Sequence, residues 1–162
     1  MKLAFNMKTH NILSIGKFKN NIGTNCRVMG IDPGVKNIGI AICDENQKIA
    51  TPFMTLEKNK FVNLLREINT IINENSIKGI VVGNPINMDG TTGKSSQSAT
   101  DFSKNLSKNI TIPVTMWDER LSSEATFKIT KELDINTSNR VKNLDKNAAA
   151  FILQGAIDYF SN

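Results

Sequence analysis

A single histidine, His10, serves the whole chain, and there are only two cysteines, Cys26 and Cys43. One imidazole near an N-terminus supports neither a Ser–His nucleophile pair nor a histidine zinc site. Two cysteines build no disulfide scaffold, and Cys43 lies in an apolar strand, so both read as free thiols of a reducing cytosol. No apolar run approaches the roughly 18 residues that cross a bilayer. The N-terminal stretch lacks both a continuous apolar segment and a small-residue cleavage pattern, which argues against a secretory signal and for a cytoplasmic protein. Repeats, low-complexity tracts and internal domain boundaries are also missing.

What is present is an ordinary globular composition. The chain has 162 residues, 40% hydrophobic and 22% charged, with a net charge of +5. That length fits one domain with a real core. The excess of Lys and Arg favours acidic partners such as nucleic acid. Residues 1–26, rich in Lys and Asn, read as a partly ordered arm ahead of a domain spanning 27–162.

The chain is organised around Val28-Met29-Gly30-Ile31-Asp32-Pro33-Gly34-Val35-Lys36-Asn37-Ile38-Gly39-Ile40-Ala41-Ile42. Val28 to Ile31 is the short apolar run of a strand covered on both faces. Pro33-Gly34 stops it, Pro by lacking an N–H and Gly by permitting φ > 0. Asn37 to Cys43 resumes as a second strand. Asp32 is left at the lip of a sheet, either as a plain turn starter or as a metal or phosphate ligand, which open α/β sheets place at such lips.

Further along, Gln47 to Met54 predicts a third strand, with Pro52 marking an edge. Phe61, Leu64, Leu65, Ile68, Ile71 and Ile72 fall at helical spacing within 57–75. Ile77 to Val82 predicts a buried strand. The loop Ile86 to Gly93 leads to a helix near 95–108, and Ile110 to Trp117 to another strand. Ser122 or Ser123 caps a helix carrying Ala125, Ile129 and Leu133. Residues 134–144 read as a polar basic loop with Arg140 and Lys142, and a helix from about Asp145 to Phe160 closes the chain. Antiparallel strands followed by alternating strands and helices give an α/β sheet covered on both faces.

Two more acids stand in telling places. Asp118-Glu119 ends the last strand; alternation through Ile112, Val114 and Met116 sets Asp118 on one face and turns Glu119 the other way or into the turn. Both also suit a helix start. Asp145 suits an N-cap, yet it leads the inward series Ala148, Ala149, Ile152, Ala156. A carboxylate on an apolar stripe wants a cation. Asp32, Glu119 and Asp145 converging at one edge would form an all-oxygen site fit for Mg²⁺ or Mn²⁺.

At this point the sequence resembles a known family, the YqgF/RuvX-type nucleases of the RNase H superfamily, known as pre-16S rRNA nucleases or Holliday junction resolvase-like proteins. The resemblance covers about residues 27–160 and rests on four blocks in order: Gly30 to Ala41, Val82 to Gly90, Trp117-Asp118-Glu119-Arg120-Leu121-Ser122, and Asp145-Lys146-Asn147-Ala148-Ala149-Ala150. It implies an RNase H-like fold, a five-stranded mixed sheet with helices on both faces. It also implies that Asp32, Glu119 and Asp145 are catalytic acids holding Mg²⁺ or Mn²⁺, which selects Glu119 over Asp118. Lys36, Asn87, Arg120, Arg140 and Lys142 are then expected to contact nucleic acid, with solvated charge or a structural ion pair as the alternative for Lys36 and Arg120. The expected partner is structured RNA, pre-16S rRNA, or branched DNA, met by a monomer or homodimer without a membrane. Asn84 departs from the family's usual apolar residue, and the helix beginning Ser95-Ser96-Gln97-Ser98 is poor in the basic residues common there. Two other readings compete: a factor that binds nucleic acid without cutting, and an actin- or sugar-kinase-like ATPase, for which 162 residues supply too few lobes.

Overall fold

The computed structural model describes residues 12–87, 89–122 and 140–161, with 140–144 described by backbone alone. The elements run β1 (Ile12–Leu13), α1 (Ile15–Ile22), β2 (Arg27–Pro33), β3 (Asn37–Cys43), β4 (Ala50–Glu57), α2 (Phe61–Glu74), β5 (Ile77–Asn84), α3 (Lys94–Asn109), β6 (Val114–Asp118), a 3₁₀ turn (Glu119–Leu121) and α4 (Arg140–Phe160).

The side-chain period of two in β2 and β3 divides the molecule. Met29, Ile31, Ile38, Ile40 and Ile42 face one way and pack with Leu64, Ile68, Phe102 and Leu106 of α2 and α3. Val28, Ala41 and Cys43 face the other way and meet Phe18 of α1 and Ala149, Ile152, Leu153 and Ala156 of α4. Burying each such Ile or Leu stabilises the fold by about 1.5–3 kcal/mol relative to leaving it exposed. β3 is thus bulky on one face and small on the other. Its small face lets α4 lie almost on the backbone: a Cβ added at Gly39 would land on the Asp145 carbonyl oxygen, and one at Gly30 would sit 2.6 Å from Leu153 Cβ.

The sheet has six strands in the order β1-β6-β5-β2-β3-β4. β2, β3 and β4 pair antiparallel, while β5 and β6 run parallel to β2. The mixed α/β architecture is the expected one, with one strand more than the five expected. The sixth is Ile12–Leu13, from the stretch read as an arm, paired parallel with Val114 and Thr115. Phe18 of that stretch is fully buried.

Other boundaries differ for identifiable reasons. β4 begins at Ala50 rather than Gln47 because Asp44 accepts from the Asn46, Lys48 and Ile49 amides and folds 44–49 into a turn. Pro52 does lie on an edge strand, beside a bulge where Ile40 pairs Met54 but Ala41 pairs Pro52. Gly34 is not at positive φ; it is needed for space, since an added Cβ would meet the Asn37 carbonyl oxygen. α4 is already helical at Arg140, so Arg140 and Lys142 lie on a helix, not a loop, and Asp145 is in its second turn rather than at its cap. The predicted helix with Ala125, Ile129 and Leu133 falls outside the described residues. Among the described residues no helix is long and apolar enough to cross a membrane.

Candidate functional site

β2, β5 and β6 all end at the same rim, because Ile31 pairs Val82 and Asn84 pairs Asp118 in parallel register. On that rim, parity places Asp32, which shares the α4 face with Val28 and Gly30. Trp117 packs on that face too; Glu119 opens the 3₁₀ turn beyond β6, and its Oε1 comes to the side of Gly83 that Ile152 of α4 covers, while Asp118 is taken up by Arg120.

Asp145 reaches the same place through its backbone. Its carbonyl lies over Gly39, and Gly39 is the antiparallel partner of Asp32. A Cβ on Gly34 would come within 3.9 Å of Asp145 Oδ1, so this carboxylate leans toward the turn after Asp32. Glu119 comes over from β6: its Oε1 would lie 3.2 Å from a Cβ on Gly83. All three acids are half-buried.

Their electrostatics record the crowding. Burial, then the charge of Asp145, pushes the Asp32 carboxyl up to about 6. Burial, then Asp32, then Asp118 pushes Glu119 up. In neither case does a neighbouring cation among the described residues lower it, which is the condition of acids awaiting one. No three His, Cys, Asp or Glu side chains among the described residues form a ready-made cage. Asp32 is near enough to Asp145, and Glu119 to Asp32, for each pair to raise a proton affinity, and carboxylate oxygens are the donors that Mg²⁺ or Mn²⁺ takes.

Asp118 has a different task. Its carboxylate accepts from Arg120 Nε at 3.0 Å and Nη2 at 2.6 Å, and from the Arg120 amide at 3.0 Å. Arg120 holds this carboxyl below its usual range. The same guanidinium donates through Nη1 to the Asn87 carbonyl at 3.5 Å, clasping the end of β6 to the loop after β5. That loop is a small closed unit. Ile86 bridges Thr92, Gly90 N–H donates to the Asn87 carbonyl, and Asp89 accepts from the Thr91 amide and hydroxyl. Asp118→Asn is expected to speed hydrogen exchange at the Gly90 and Asn87 amides several-fold while leaving the β2 amides unchanged, read by exchange mass spectrometry.

Asn87 and Lys36 are exposed on this rim. The side chains of Arg140 and Lys142 lie outside the described residues. Sequence reasoning did not single out Lys58, Ser95 and Ser98, which line a hollow with Asp32. Nor did it give Asn84 a purpose: Asn84 Oδ1 accepts from Ser96 Oγ at 2.7 Å and anchors the first turn of α3, which accounts for a polar residue there.

Comparison with known proteins gives the family and the fold. The family described as "RuvX: Holliday junction resolvase" matches residues 26–159. A protein of Pelagibacter ubique named "Putative pre-16S rRNA nuclease" is 51% identical over 151 residues, covering 93% of this chain and all of that one. One of the same name from Zymomonas mobilis is 41% identical over 135 residues, covering 83% and 82%. Among solved structures, Thermus thermophilus RuvC in complex with a Holliday junction has a TM-score of 0.53 at 10% identity, covering 83% of this chain and 93% of that one. The yeast mitochondrial Holliday junction resolvase Ydc2 has a TM-score of 0.54 at 13% identity, covering 89% and 84%. The structural likenesses establish the fold, and the sequence matches establish the lineage: this chain belongs to the RuvX family.

Proposed function

We propose that this chain is a Mg²⁺- or Mn²⁺-dependent nuclease that hydrolyses phosphodiester bonds, maturing the 5′ end of pre-16S rRNA in the cytoplasm as a monomer or homodimer. What supports this reading most is the crowding of Asp32 by Asp145 and of Glu119 by Asp32 at one rim, which raises the proton affinity of Asp32 and of Glu119. The names of the relatives supply the substrate. The family's own description makes four-way DNA junctions the second substrate class to test.

Asp32, Glu119 and Asp145 are the residues that hold the ions. The bound metal supplies an activated water and stabilises the leaving oxygen. Asp32 offers its oxygens only when deprotonated, and without metal its carboxyl sits at about 6, so at sub-saturating metal protons compete with the ion and cleavage should fall as pH drops, with more metal needed at lower pH. Lys36, Asn87, Arg140 and Lys142 contact the nucleic-acid backbone. Arg120, committed to Asp118, acts mainly by fixing the loop that carries Asn87.

Glu119→Gln and Asp145→Asn should each reduce Mg²⁺-dependent cleavage by about 10²–10³-fold with an unchanged circular-dichroism spectrum. Cleavage undiminished in Asp145→Asn removes the assignment. Precursor rRNA and four-way DNA junctions, compared at one stated salt concentration, separate the two substrates.

A further inference from the structure

The hollow beside Asp32 is lined mostly by residues that the acid site does not use. Ser95 and Ser98, from the first turns of α3, are two of them. Other hydroxyls of that helix turn back on the protein: Ser96 Oγ donates to Asn84, Thr100 Oγ1 to the Ser96 carbonyl and Ser103 Oγ to the Ala99 carbonyl. Ser95 and Ser98 border the open space instead. Lys58 lines the same hollow. Its place is fixed by its backbone, whose N–H donates to the Lys36 carbonyl at 2.8 Å, just past the Asn37–Glu57 pair that ends β4. Pro33, Val35 and Pro85 supply apolar surface, and Val35 is 88% exposed. A cation, two hydroxyls and a bare apolar rim, one step from an acid of the site, suit an anionic group joined to a sugar and base.

We propose that this hollow is a subsite for the nucleotide adjoining the scissile phosphate, Lys58 and the Ser95 and Ser98 hydroxyls holding that nucleotide's phosphate and Val35 its sugar or base. The inference rests on the nuclease reading above. It also explains how the chain manages with an α3 start poor in basic residues: the positive charge is supplied from the β4–α2 junction, where Lys60 follows Lys58 after Asn59.

The test is binding of a fluorescein-labelled RNA hairpin with a single-stranded 5′ extension, and of its DNA counterpart, by anisotropy across a salt series, with steady-state cleavage measured in parallel. Lys58→Gln is expected to weaken binding several-fold and lower the slope of log affinity against log salt by about 0.7 for both nucleic acids. Ser95→Ala with Ser98→Ala should weaken binding without changing the slope. Both should raise KM and leave kcat within about twofold. Lys104→Gln, remote on the C-terminal half of α3, should alter none of these. An unchanged slope in Lys58→Gln, an equal loss in Lys104→Gln, or a fall in kcat at constant KM overturns the subsite. Absence of cleavage by the unsubstituted protein, with the Lys58 slope change intact, overturns the nuclease reading and leaves Lys58 as a phosphate contact of a protein that binds without cutting.

Discussion

Asp32→Asn is expected to cleave nothing and yet, in metal-free buffer near pH 7.5, to be more stable than the unsubstituted protein. Asp32 is half-buried, and its carboxyl is pushed up to about 6 by burial and by Asp145, against 3.8 in the unfolded chain. Between those values the folded state binds more protons than the unfolded state, so stability declines as pH rises through the window and stays lower above it. The gap corresponds to about 3 kcal/mol if undiscounted; partial solvent access brings this to about 1–2 kcal/mol. An amide of the same shape removes the charge and the repulsion of Asp145 and Glu119 with it. The melting temperature should rise by roughly 2–4 °C per kcal/mol at pH 7.5, and the gain should vanish near pH 4, where the native carboxyl is already neutral. Added Mg²⁺ or Mn²⁺ should raise the melting temperature of the unsubstituted protein and do so far less for Asp32→Asn. A variant that melts lower than its parent in metal-free buffer at pH 7.5 would show that Asp32 is an ordinary structural carboxylate. The stability lost to crowding acids is then recovered only when a cation enters, the usual relation between a strained site and its ligand.

Much of this site was legible in the chain because it depends on parity and small residues. Ile38-Gly39-Ile40-Ala41-Ile42 alternates bulky with small, and a helix reading Ala148-Ala149-Ala150 is the one that fits the small side. The same period does not by itself separate Glu119 from Asp118. Alternation ends at Asp118, and Glu119 opens the turn beyond it, so only knowing that Asp32 lies on the α4 face, with Val28 and Gly30, tells which of the two can join it. That knowledge comes from how helices are distributed over the sheet, a long-range fact that local pattern lacks. Residues 12–22 were harder, since a two-residue strand gains its meaning from Val114 and Thr115, about a hundred positions away. Lys58 was out of reach for a similar reason. The turn at Asp44–Ile49 delays β4, and the bulge near Phe53 shifts its register, so counting from Pro52 does not bring Lys58 beside Lys36. Reading Asp145 as opening the helix took a good capping residue at face value, whereas helical backbone already runs through Arg140 to Leu144, where no Gly or Pro interrupts it.

Gly39→Ala tests the contact on which the site depends, and it should be among the most damaging single-methyl additions this protein can receive. The new Cβ would coincide with the Asp145 carbonyl oxygen and crowd the Lys146 nitrogen at 2.9 Å. These are helix backbone atoms that cannot rotate aside as a side-chain tip would, so α4 must lift from β3 or slide along it. Overpacking of this kind typically costs about 1–3 kcal/mol, occasionally more, and here the upper end is expected because Ala149, Ile152, Leu153 and Ala156 would lose their packing with it. The melting temperature should fall by roughly 6–12 °C, and cleavage assayed well below it should drop steeply, since Asp145 rides on the displaced backbone. Gly16→Ala is the matched control. It adds the same methyl inside α1, where nothing lies within 4 Å of the new atom, and helix propensity alone predicts a gain of about 0.5–1 kcal/mol. One substitution type should thus give opposite signs at two positions. Equal melting temperatures for the two variants would mean that α4 does not rest on Gly39, and Asp145 would then have no route to Asp32.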